Sequence, residues 1–176
     1  MSDTGVAIRE FVAGDEQGVV ALILPIQREE FGVQITAEDQ PDLQHIPEFY
    51  QRGAGNFWVA LDGGRVVGTI ALLDIGGRQA ALRKMFVHPH YRGRAAGVAQ
   101  RLLEKLLAWA RDRDLATIYL GTTPQYHAAH RFYEKNGFAR IDSALLPETF
   151  PIMKVDTIFY CYALDSQDAA SESTDT

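Results

Sequence analysis

The sequence predicts an α/β protein built on a sheet of mixed strand direction, and three observations carry that prediction. Apolar residues switch repeatedly between strand-like and helix-like spacing from residue 6 to residue 164, the pattern of interleaved strands and helices. Two glycine turns, Asp62-Gly63-Gly64 and Gly76-Gly77, separate alternating apolar runs and predict three consecutive antiparallel strands. Residues 97–113 place Val98, Leu102, Leu103, Leu106, Leu107 and Ala110 on one stripe, with Arg101, Glu104, Lys105 and Arg111 opposite, which predicts one long amphipathic helix.

Taken in order, Val6–Val12 reads as the first strand. A helix follows Gly14-Asp15, with Val19, Leu22, Ile23 and Ile26 at helical spacing and Asp15 as its expected N-cap. Thr36–Asp39 has the spacing of a capping box, so a second, proline-interrupted helix is expected through Leu43, Ile46, Phe49 and Tyr50. Strands are expected at Phe57–Leu61, Val66–Asp74 and Ala80–Val87, and after the long helix at Thr117–Leu120. A helix from about Gln125 to Lys135 closes at Asn136-Gly137, a common helix stop, and strands at Phe138–Ile141 and Asp156–Leu164 complete the chain. The count is seven strands and four helices.

Composition bounds the function. A chain of 176 residues buries roughly two-thirds of its unfolded surface, so a single domain over 1–164 is expected. The tail, 165–176, has no large apolar residue and is expected to be disordered. Cys161 is the sole cysteine, which excludes an internal disulfide and points to a reducing compartment. No leader or membrane-length apolar run is present, so a soluble, cytoplasmic protein is expected. The net charge of −6 conceals a division. Residues 1–75 carry 12 acids and 4 bases, residues 76–164 carry 7 acids and 13 bases, and the tail carries 4 acids and no base. A segment with net charge +6 inside an acidic chain implies a surface that meets something negative.

That segment centres on the stretch from Met85 to Ala99, where a strand ends, a proline-containing loop turns and a helix begins. A helix N-terminus offers unpaired N–H groups and partial positive charge to an anion. Gly93, Ala95, Ala96 and Gly97 leave room for a phosphate, and Arg92 and Arg94 add guanidinium groups suited to its oxygens. Neither a P-loop nor a G-x-G-x-x-G fingerprint is present. On spacing alone, a tight strand-to-helix turn with solvated arginines fits the same residues.

The run Val87-His-Pro-His-Tyr-Arg-Gly-Arg-Ala-Ala-Gly97, followed by Ala129-His-Arg-Phe-Tyr-Glu-Lys-Asn-Gly-Phe138, closely resembles the GNAT superfamily of acyl-CoA-dependent N-acyltransferases. The resemblance covers residues 6–164 and implies a mostly antiparallel central sheet of about seven strands flanked by about four helices. It implies acetyl-CoA as co-substrate, with backbone groups of Phe86 and Val87 along the pantetheine arm. Arg92, Gly93, Arg94, Ala95, Ala96, Gly97 and Val98 would lie at the pyrophosphate, and Tyr126 beside the cofactor. Tyr133 would protonate the departing thiolate. A phenol, with an ordinary pKa near 10, remains a donor at neutral pH beside a thiolate whose acid has a pKa of about 8.5.

Three positions depart from the family pattern. Ala95 stands where glycine is usual, Tyr126 replaces an asparagine, and Ala81 occupies the position at which the family's histone acetyltransferases carry a glutamate base. The base is therefore unassigned, with Asp74, Glu148 and Asp156 as candidates. His127 and His130 lie three apart on a helix without a ligand-like partner set, so no metal is expected.

The acceptor half is expected to involve residues 11–48 and the loop 142–154. The first holds Asp15, Glu16, Glu29, Glu30, Glu38, Asp39, Asp42 and Glu48 against Arg28, which would favour a small, cationic primary amine; a solvated helix face reads the same way. The second could wall a pocket with Leu145, Phe150, Ile152 and Met153, or simply pack on the sheet. The expected activity is direct acetyl transfer to an amine. The alternative is a non-catalytic acyl-CoA-binding or regulatory module of the same fold. No nucleic acid or membrane partner is expected, and exposed edge strands leave room for a homodimer.

Overall fold

Seven strands form one sheet in the order β1-β2-β3-β4-β5-β7-β6, in a computed structural model that describes residues 5–30, 32, 36, 38–93, 97–124, 127–153 and 156–164. The chain runs β1 (Val6–Glu10), α1 (Glu16–Glu29), α2 (Pro41–Gln44), α3 (Ile46–Phe49), β2 (Asn56–Asp62), β3 (Arg65–Gly76), β4 (Gln79–Val87), α4 (Val98–Asp112), β5 (Thr117–Thr122), α5 (His127–Lys135), β6 (Ala139–Ile141) and β7 (Ile158–Ala163). All seven expected strands are present. The chain divides into two compact units, residues 1–73 with 83–109 and residues 74–82 with 110–176.

In the first unit, β1 pairs antiparallel with β2, Val6 opposite Asp62 and Glu10 opposite Trp58. The β2–β3 hairpin turns through Gly63 and Gly64 at φ of 58° and 88°, values a side chain would oppose. One face of these strands carries Phe11, Phe57, Val59 and Ala71, packed with Val19, Leu22, Ile23 and Ile26 of α1 and Leu43, Ile46 and Tyr50 beyond it. α1 continues through Pro25. Burial of its apolar stripe on both sides of the proline outweighs the missing N–H, since each such side chain contributes about 1.5–3 kcal/mol.

The helix expected through residues 43–50 is instead two four-residue helices, which makes five α-helices among the described residues. Thr36 N–H and Oγ do both donate to Asp39 Oδ2, at 3.0 Å each, so half of the capping box forms. Pro41 then disfavours helical backbone at Gln40, which sits at φ −127°, ψ 72°. Pro47 removes the N–H that would carry a helix across His45. Asp15 does occupy the N-cap position of α1, its carbonyl accepting from Val19 N–H, but its side chain does not cap. Its carboxylate makes no cap hydrogen bond to α1 and accepts instead from Arg9 and from the Val12 N–H.

α4 lies against β3 at Gly68, where an added Cβ would stand 3.0 Å from Leu102 Cδ1 and 3.1 Å from Val98 Cγ1. The glycine lets the helix approach, and Val98, Leu102, Leu103 and Leu106 are fully buried. Trp109 donates to Ala54 O at 2.9 Å and meets Trp58 edge-on.

In the second unit the start of β4 pairs parallel with β5, from Gln79–Thr117 to Ala81–Tyr119. β7 pairs antiparallel with both β5 and β6. α5 ends at Gly137, φ 96°, where the Phe138 N–H bonds Tyr133 O, the expected closure. In the loop before β7, Phe150 is buried against Tyr119 and Phe159, whereas Leu145, Ile152 and Met153 are exposed. The tail, 165–176, lies outside the described residues.

Candidate active site

The stretch from β4 to α4 is anchored at both ends by backbone bonds. His88 N–H bonds Val67 O at 2.8 Å, a 3-10 turn spans Pro89–Tyr91, and Gly97 N–H reaches Gly93 O at 3.3 Å. Gly93 and Gly97 adopt φ of 104° and 62°, and nothing approaches within 4 Å of the place a Gly93 side chain would occupy. Gly93 therefore presents open backbone ahead of α4, as an anion site at a helix start requires. Arg94, Ala95 and Ala96 lie outside the described residues, as does Tyr126.

Arg92, expected at the phosphate or else solvated, is instead partnered within the fold. Its two terminal nitrogens form a bidentate pair with Glu30, both at 2.9 Å, and its Nε donates to Val87 O at 2.8 Å. Arg92 thus ties the end of β4 to the end of α1. Val98 is fully buried, so what it can offer a ligand is backbone. Phe86 packs against the core of α1–α3.

The same unit holds a buried polar cluster that the sequence did not single out. Lys84 Nζ is 2.9 Å from Gln40 Oε1 and 3.3 Å from Asp42 Oδ2. Tyr50 donates to the same Asp42 oxygen at 2.6 Å, and Gln27 and Gln40 exchange two amide bonds. The Lys84 and Asp42 side chains are only 9% and 10% exposed. Burial pushes the Lys84 pKa down against the pull of Asp42, and burial pushes the Tyr50 phenol up. Lys84 also has φ 53°, which costs a residue with a side chain about 1–2 kcal/mol. Two adjacent charges, Arg83 and Lys84, in an otherwise apolar strand were the available signal.

In the second unit Tyr133 is buried, 6% exposed, with ring contacts to Phe132, Phe138 and Tyr160. Burial raises its pKa well above the ordinary phenol value, so the phenol stays protonated, able to donate a hydrogen bond, throughout the neutral range. Tyr160 donates to Glu134 at 2.7 Å, and His130 Nε2 meets Thr123 O at 2.8 Å. Among the described residues no group of His, Cys, Asp and Glu could hold a metal ion.

Two of the three candidate bases, Asp74 and Asp156, are drawn into local structure. Asp74 accepts from Gly76 N–H. Asp156 accepts from Met153 N–H, and its Oδ2 lies where a Gly121 Cβ would be, 2.6 Å away. Glu148 is exposed, and Ala81 is fully buried. In the acidic segment, Asp15, Glu30 and Asp42 are paired with Arg9, Arg92 and Lys84.

Comparison with known proteins completes this picture. The family model described as the acetyltransferase (GNAT) family matches residues 20–138. N-acetyltransferase family 8 member 2 of Rattus norvegicus is 30% identical over 132 residues, covering 72% of this chain and 58% of that protein; the chain thus spans just over half of that relative's length. The crystal structure of a GNAT-family acetyltransferase from Staphylococcus aureus Mu50 superposes with a TM-score of 0.85 at 36% identity, covering 90% of this chain and 99% of that one. An N-acetylglutamate synthase from Neisseria gonorrhoeae, solved with coenzyme A and N-acetylglutamate, shares the fold with a TM-score of 0.70 at 22% identity, covering 90% of this chain and 35% of that one. No helix among the described residues is long and apolar enough to cross a membrane.

Proposed function

This chain belongs to the GNAT acetyltransferase family, and from that premise we propose that it transfers the acetyl group of acetyl-CoA directly to a primary amine of a small molecule. The observation that carries the reading is the loop that enters α4. Its backbone at Gly93 is open to a ligand, Gly93 and Gly97 hold conformations that side chains disfavour, and it coincides with the family's pyrophosphate motif at Arg92 to Gly97. These residues fit a phosphate-bearing co-substrate.

In this reading the N–H groups between Gly93 and Val98 hold the pyrophosphate, and Arg92 keeps the loop in place from Glu30 and Val87. Backbone groups of Phe86 and Val87 run along the pantetheine arm. Acetyl-CoA supplies an acetyl group activated as a thioester. The acceptor nitrogen bonds to the acetyl carbon, the C–S bond breaks, and one amine proton ends on sulfur, so that amine and thioester give amide and thiol. Tyr133 donates a hydrogen bond to the sulfur as negative charge develops there, and its raised pKa keeps the phenol protonated for that task. Because Asp15, Glu30 and Asp42 are already paired, the acids of residues 11–48 attract a cationic acceptor less than their number suggests.

Thiol release from acetyl-CoA, measured across cationic, neutral and acidic primary amines, tests the reading. Turnover with at least one amine, abolished or strongly reduced by Tyr133→Phe, is expected. Coenzyme A binding without turnover for any amine would instead support a non-catalytic module.

A further inference from the structure

We infer that Lys84 is a positioning residue: its buried ammonium holds the end of β4 in the backbone conformation that acyl-CoA binding uses. The inference rests on the role proposed for Phe86 and Val87.

Adjacent residues of a regular strand point to opposite faces. Arg83 and Lys84 break that rule, because both reach the segment formed by α2, α3 and Tyr50. The Arg83 guanidinium lies 5.9 Å from the Phe49 ring centre and 6.0 Å from that of Tyr50, while Lys84 reaches Gln40 and Asp42. Two neighbours on one side, with φ 53° at the second, are the signature of a bulge, and bulges re-aim the residues that follow.

The conformation is held from several directions. Thr69, fully buried on β3, donates its hydroxyl to Lys84 O at 2.7 Å. Gln27 of α1 braces Gln40, and Tyr50 braces Asp42. A glycine would adopt this backbone without strain, and apolar side chains would fill the space without burying charge. The chain has neither, so both costs fall on one residue, an arrangement associated with functional geometry. The consequence lies between two fixed points. Lys84 O is held by Thr69 and His88 N–H by Val67 O at 2.8 Å, so the backbone of 85–87 runs between two anchored ends.

The test separates the backbone conformation from the ammonium. Coenzyme A affinity of the full chain is measured by titration calorimetry, beside its thermal midpoint, for Lys84→Gly, Lys84→Met and the double variant Asp42→Asn with Lys84→Met. Lys84→Gly tolerates the bulge and is expected to bind within about threefold of the natural chain, although less stable. Lys84→Met retains the strain without the ammonium, and its affinity is expected to fall about tenfold or more. The double variant leaves no stranded charge and still accepts the Tyr50 hydroxyl, so its midpoint should recover while its affinity does not. Equal losses in the glycine and methionine variants, or affinities that simply follow the thermal midpoints, would overturn the inference. A natural chain that bound no coenzyme A would overturn the proposed function as well.

Discussion

Glu30 grips Arg92 across 62 residues of sequence, with two N···O distances of 2.9 Å. The Nε bond to Val87 O makes the guanidinium a clasp between the end of α1, the end of β4 and the loop that follows. With side chains 43% and 33% exposed, the pair contributes at most about 1 kcal/mol to stability. Its importance is geometric, because a lysine offers a point charge and cannot reproduce a fork and a third bond together. Arg92→Lys is therefore expected to raise the KM for acetyl-CoA about fivefold, the equivalent of about 1 kcal/mol, with kcat nearly unchanged. Steady-state kinetics with acetyl-CoA varied would show this, and an unchanged KM would remove the clasp from cofactor binding.

Tyr133 lends itself to a cleaner separation of fold from chemistry. Its ring packs 5.5 Å from Phe138 and 6.1 Å from Tyr160, centre to centre, and phenylalanine preserves both contacts. Tyr133→Phe should leave the thermal midpoint and the KM for acetyl-CoA close to those of the natural chain. If the phenol serves the departing sulfur, kcat should fall by about 10²–10⁴-fold. A variant that retains full kcat would return Tyr133 to the core as packing alone.

These cases show which parts of the molecule were legible in the sequence. α1, α4 and the glycine hairpins were readable because their signals are local: the spacing of Val19, Leu22, Ile23 and Ile26, or positive φ at Gly63 and Gly64. The interruption by proline was readable from Pro41 and Pro47, but periodicity alone could not say that the chain breaks at His45 into two separate four-residue helices. The Arg92–Glu30 clasp and the Lys84–Asp42 cluster were not readable. Their partners lie on different elements, and nothing in the spacing of a charged residue states which distant carboxylate it meets. Asp15 illustrates the same limit at short range, since a side-chain acceptor beside a helix start caps the helix only if no better donor is near, and Arg9 is better.

That competition for Asp15 has a consequence in acid. The hydrogen bond from Arg9 is the main cause holding its carboxyl below the ordinary aspartate range, with the Val12 N–H and the Arg9 charge assisting against burial. A depressed carboxyl pKa in the folded state contributes stability above the unfolded-state pKa, and the contribution is lost as pH falls through the folded value. Since Arg9 is 42% exposed, solvent limits the effect to at most about 1 kcal/mol. Asp15→Asn should thus lower the thermal midpoint at neutral pH, and the two melting curves should converge below the ordinary aspartate range. A difference that persisted undiminished in acid would mean that the carboxylate charge is not what stabilises the turn.

Gly68 offers a test of how closely α4 must lie on the sheet. A methyl at this position would meet Leu102 Cδ1 at 3.0 Å, Val98 Cγ1 at 3.1 Å and Ala60 Cβ at 3.3 Å, each a few tenths of an ångström too near. All three neighbours are fully buried, so the contact cannot be relieved by swinging a side chain into solvent. Either the rotamers of Val98 and Leu102 adjust or the first turns of α4 lift from β3. Overpacking of this kind costs about 1–3 kcal/mol, and Gly68→Ala should lower the thermal midpoint accordingly. Because Val98 begins the helix immediately after Gly97, lifting α4 also displaces the backbone proposed to hold the pyrophosphate, and the KM for acetyl-CoA should rise with it. Combining Gly68→Ala with Leu102→Ala distinguishes the two routes. If crowding at Leu102 lifts the helix, the second change should cost less in the Gly68→Ala background than alone, with partial recovery of the KM. Strict additivity of the two losses would place the strain elsewhere.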